Sequence, residues 1–91
     1  MVVKRELKNE ILVGGKQLSK YLLTFSILST NHDNIVIKAR GKYIPKAISL
    51  TEASKKLYGW VVDNISTFTE EVKIDDKVVI LPCIEISLKK S

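Results

Sequence analysis

Between Glu10 and Arg40 the hydrophobic period of the chain switches from two to 3.6 and back to two, and this switch restricts the fold more than any other feature. The apolar triplet Ile11-Leu12-Val13 is cut off by a tight turn at Gly14-Gly15. Leu18, Tyr21, Leu22, Phe25 and Leu28 then recur at spacings of three and four, which sets them on one face of a helix ending near Asn31. The run NIVIKAR follows, with Ile35 and Ile37 directed to one side of a sheet and Val36 and Lys38 to the other. A strand, a helix and a strand in so short a span predict a crossover with parallel strands and the helix lying on the sheet. Leu23 and Ile27 fall off the inner face of that helix and meet either a neighbouring loop or another copy of the chain.

After Gly41 the pattern turns helical again, with Pro45 tolerable in a first turn and Ala47, Leu50, Thr51, Ser54, Leu57 and Tyr58 on the inner face. Gly59 is placed to stop this helix. Two β-branched runs follow, separated by KIDDK, whose adjacent aspartates suit a turn between antiparallel strands. The last strand alternates around Ile80, Ile84, Ile86 and Leu88, and Pro82 assigns it to an edge or a bulge because proline cannot donate to a ladder. The expected architecture is a single α+β domain over residues 1–91, ordered β-α-β-α-β-β: a two-layer sandwich of a mixed four-stranded sheet with both helices on one face. With 91 residues the core is small, which favours association into a dimer.

The charge is uneven. Against a formal net charge of +5, the stretch VIKARGKYIPKAI holds Lys38, Arg40, Lys42 and Lys46 and no acid. Its glycine and that of the upstream VGGKQ sit where a strand leaves the sheet and a helix begins. Such corners present backbone N–H groups and the positive end of a helix, and glycine lets an anion come close. Gly14, Gly15, Lys16, Lys38, Arg40, Gly41, Lys42, Tyr43 and Lys46 are the candidate ligands of a phosphate backbone, with Tyr43 free to pack or to stack on a base. Trp60 is assigned to packing. A P-loop or dinucleotide-binding spacing is missing from both glycine corners, so mononucleotide chemistry and a small-molecule substrate are not expected.

Cys83 is the single cysteine and His32 the single histidine, so neither an internal disulfide nor a metal-ligand pair is expected, and no cofactor. Cys83 reads as a small buried hydrophobe and His32 as a loop or helix-end residue. The acids form no catalytic pair with a nucleophile, and no enzymatic activity is expected. The lone thiol points to a reducing compartment, and the charged start and short apolar runs predict neither a signal peptide nor a membrane span.

The segment IVIKARGKYIPKAI, with ILVGGKQLSKYLL upstream and IEISLKK at the end, resembles the Alba family of small archaeal nucleic-acid-binding proteins over roughly Glu10 to Lys90. The pattern I-K-A-R-G-x-x-I-x-K-A is the specific part of the likeness. The resemblance implies a dimeric, sequence-tolerant binder of duplex DNA or RNA, active in chromatin packing or in RNA complexes. It puts the family's first-corner lysine, a site of regulatory acetylation in some relatives, on Lys16. It puts the second-corner basic residues on Arg40 and Lys42, the helix lysine on Lys46, and an aromatic used in dimer-to-dimer contact on Tyr58. Two departures stand out: Gly15-Lys16 replaces a lysine pair, and the terminal hairpin reads as short and acidic where the family's is longer and basic.

The function expected is non-enzymatic, sequence-tolerant binding of duplex DNA by a homodimer, cytoplasmic and nucleoid-associated, with dimer-to-dimer contacts through Leu23, Ile27 and Tyr58. The alternatives are an RNA-binding subunit of a ribonucleoprotein and a protein-interaction module.

Overall fold

A computed structural model describes residues 8–91. The chain runs through β1 (Glu10–Leu12), α1 (Leu18–Ser29), β2 (Asn34–Arg40), a 3₁₀ turn (Gly41–Tyr43), α2 (Ile44–Tyr58), β3 (Val61–Ile74) and β4 (Lys77–Lys89). Spatially the sheet is ordered β1-β2-β4-β3. The first crossover behaves as expected, with β1 parallel to β2 and Ile11 beside Ile37. The second also returns β3 in the direction of β2, but β4 is inserted between them and pairs antiparallel with both.

The core lies between the sheet and the two helices. Ile35, Ile37 and Ala39 of β2 and Ile84, Ile86 and Leu88 of β4 face it, and α1 covers them with Tyr21, Phe25 and Leu28. Leu18 and Leu22 complete the inner stripe of α1 as partly buried residues, while Leu23 and Ile27 stand exposed. From α2 the core receives Ala47, Leu50, Thr51 and Ser54. Thr51 and Ser54 satisfy their hydroxyls on the carbonyls four residues back, at 2.9 and 2.8 Å, so their burial leaves no donor unpaired.

Leu57 corrects the expected stripe, since it is exposed. The reason is the helix end. Gly59 caps α2 in the left-handed region, at φ 72°, and turns the chain so that Trp60 is buried. The indole packs edge-on against Phe25 at 5.0 Å between centroids, while Tyr58 stacks on the same ring at 5.6 Å.

Two further expectations are corrected. The last strand is not an edge, because β4 lies between β2 and β3. Pro82 is nevertheless accommodated: the β2 ladder stops at Arg40 opposite Cys83, so one residue farther along Pro82 pairs only with Thr69 of β3. The hairpin is also not short. Pairing continues without interruption from Thr69–Pro82 to Ile74–Lys77, an arm of roughly 20 Å beyond the end of β2. The charged TEEVK segment conceals this continuity in the sequence, and a two-residue turn preserves it. Asp75 and Asp76 both hold positive φ, 48° and 63°, the conformation of a turn whose twist matches that of its strands.

Candidate nucleic-acid interface

Because β1 and β2 are adjacent and parallel, their C-terminal ends emerge side by side, and both glycine corners line one open cleft of about 340 Å³. Its walls include Gly14, Gly15, Lys16, Tyr21, Arg40 and Tyr43. Three side chains hold it in shape. The Tyr21 hydroxyl, anchored by a ring in the core, accepts hydrogen bonds from the Gly14 N–H at 2.7 Å and the Lys16 N–H at 3.3 Å. From the other corner, the Lys46 ammonium donates to the carbonyls of Gly14 at 3.2 Å and Lys16 at 2.7 Å. Tyr43 lies under the ammonium groups of Lys42 and Lys46, 5.5 and 5.9 Å from its ring centroid.

Gly41 has the backbone its position demands, φ 59°, where a side chain would be strained. Gly14 and Gly15 have no such requirement. A Cβ there would meet the hydroxyls of Tyr21 and Tyr43 at 3.5 and 3.6 Å, ordinary contact distances. Both helices enter from this region without a side-chain cap and without an acid in the first turn, so their positive ends are not neutralised locally.

The candidate residues fall into three groups. Lys16 and Lys42 carry ammonium groups that form no ion pair among the described residues. Lys46 is tied to two carbonyls and works as a clamp between the corners. Lys38 and Arg40 lie on the helix-free face of the sheet, because alternation in β2 turns Ile35, Ile37 and Ala39 the other way. Both are ion-paired, Lys38 with Glu10 of β1 and Arg40 with Glu70 of β3 at 3.2 Å. The hydrogen bond and charge of Lys38 hold the Glu10 carboxyl below its usual range, and the hydrogen bond from Glu10 raises Lys38 in return. Tyr21, Glu10 and Glu70 are the site residues that sequence reasoning missed. Tyr21 was legible only as an apolar position, and the two acids depend on strand register.

Cys83 is buried beside the arm's root, and burial pushes its thiol up. The His32 ring, at the end of α1, encloses a nitrogen without a hydrogen-bond partner. Among the described residues no group of three or more His, Cys, Asp or Glu is arranged to hold a metal ion, and no helix is long and apolar enough to cross a membrane.

Residues 9–70 match the family profile described as Alba. Among solved structures, Alba from Thermoplasma volcanium superposes with a TM-score of 0.82 at 30% identity, covering 89% of this chain and 99% of that one. ALBA1 from Trypanosoma brucei superposes with a TM-score of 0.76, covering 96% of this chain and 73% of that one; at 21% identity it supports the fold alone. The helix positions, the four-stranded mixed sheet and the profile match agree: the chain belongs to the Alba family.

Proposed function

We propose that this protein binds duplex nucleic acid through backbone phosphates, without catalysis, as a homodimer. Membership of the Alba family points to nucleic-acid binding in general and to a non-enzymatic protein. The observation that carries the finer reading is the convergence of two glycine corners in one cleft, with the unpaired cations Lys16 and Lys42 at its rim. Ammonium groups and backbone donors read charge and not base edges, so binding is tolerant of sequence. Duplex DNA, in nucleoid organisation, is the favoured ligand; a ribonucleoprotein role is the second reading, favoured by the acidic arm.

The second copy has a place to sit. A groove of about 260 Å³ between α2 and β3 is lined by Ile48, Val62, Ile65, Ile84 and Ile86, and Ile48 and Ile65 are about half exposed. Apolar side chains in such a groove favour a self-complementary contact with a second copy, which doubles the basic surface. Leu23, Ile27 and Tyr58 lie on other surfaces and remain the candidates for contacts between dimers, and Lys16 the candidate for acetylation.

Anisotropy titrations of labelled duplex DNA and duplex RNA of matched sequence, at one fixed salt, test the reading. Binding to both, with scrambled sequences equivalent, is expected. No binding to either at 50 mM salt would sink it and leave a protein-interaction module.

A further inference from the structure

We infer that Glu70 is a built-in competitor of the ligand: its carboxylate occupies the Arg40 guanidinium that a nucleic-acid phosphate must claim, and so limits affinity. This inference rests on the phosphate-binding reading above. Glu70 lies at the root of the arm, and its Oε2 accepts from the Arg40 Nη1 at 3.2 Å. Arg40 is the last residue of β2, directly before the Gly41 corner, and it lines both the corner cleft and a second cleft of about 280 Å³ on the helix-free face. Glu70 lines the second cleft only. The guanidinium therefore stands between the place of an incoming phosphate and a resident carboxylate of the same charge and similar planar shape.

Exposure decides whether the pair is a permanent staple or a contact that opens. The two side chains are 54% and 46% exposed, so water reaches both, and pairs of that kind contribute little to stability. A phosphate can displace the carboxylate at small cost, yet the carboxylate stays nearby and repels it. Glu10 holds Lys38 in the same way one strand over. The helix-free face is thus neutralised from within while Lys16 and Lys42 remain open. First contact falls on the corner, and Arg40 joins only after Glu70 is displaced.

Glu71 supplies the control. It carries the same charge one residue farther along, but strand alternation turns it to the opposite face of the arm, paired with Ile80. Binding of a labelled DNA duplex is to be measured for the wild type, Glu70→Gln, Glu71→Gln, Arg40→Gln and the Arg40→Gln/Glu70→Gln double variant at 100 mM salt, with thermal unfolding of each. Glu70→Gln should bind about 2- to 5-fold tighter than Glu71→Gln, the scale of one exposed ion pair, and this advantage should vanish in the Arg40→Gln background. Unfolding midpoints should agree within a few degrees. Equal affinities for Glu70→Gln and Glu71→Gln, or weaker binding by Glu70→Gln, would overturn the inference while leaving the phosphate reading in place. Failure of the wild type and every variant to bind even at 50 mM salt would overturn both.

Discussion

Gly59 shows how much a single backbone angle organises here. No atom lies within 4 Å of where its Cβ would be, so Gly59→Ala meets no steric obstacle and its cost is the left-handed conformation alone. That cost is about 1 kcal/mol, which for a domain of this size lowers the unfolding midpoint by about 4–8 °C in a thermal scan. Cys83 tests burial on the helix-free side. Its thiol holds its proton more tightly in the fold than in the unfolded chain. Stability is therefore unaffected by this group below the unfolded thiol value of about 8.5 and falls as pH rises above it. Denaturant unfolding between pH 8 and 9.5 should show a loss in the wild type that Cys83→Ala lacks. Tyr21 is the residue whose role the sequence conceals. Its 3.6-residue spacing marks it as core, and its ring is buried, but only the fold reveals that its hydroxyl organises the first corner.

At the scale of elements, the local signals were legible and the pairing was not. Periodicity located α1, β2 and α2, and the glycine corners located the cleft, because each depends on residues close in sequence. The place of β4 between β2 and β3, the length of the arm, and the partners Glu10 and Glu70 depend on strand order and register, which no local pattern encodes. The arm carries the consequence. It projects past the end of β2, the same end as the corners, with Glu70, Glu71, Asp75 and Asp76 outnumbering Lys73 and Lys77. A tip of that charge is repelled by a phosphate backbone and does not enter a groove. Converting Asp75 and Asp76 together to Lys should tighten duplex binding and steepen its salt dependence in anisotropy titrations. Loss of binding by a folded double variant would instead make the acids a contact with the ligand.

The whole molecule is a compact body with one extended arm. Its radius of gyration of 14.5 Å exceeds the roughly 12 Å of a compact chain of this length, and the arm accounts for the excess. The body's exposed groove between α2 and β3 yields the assembly prediction. Light scattering at micromolar concentration should give twice the chain mass, and Ile65→Lys, which sets a charge in that groove, should give the single mass. The central claim, that the paired corners grip phosphates through unpaired cations, is tested most directly by the salt dependence of duplex DNA binding. A plot of log affinity against log salt should be linear and falling for the wild type, and less steep by about 0.9 for Lys16→Ala and again for Lys42→Ala, one phosphate contact each. Slopes unchanged by either substitution, in proteins that still bind, would contradict it.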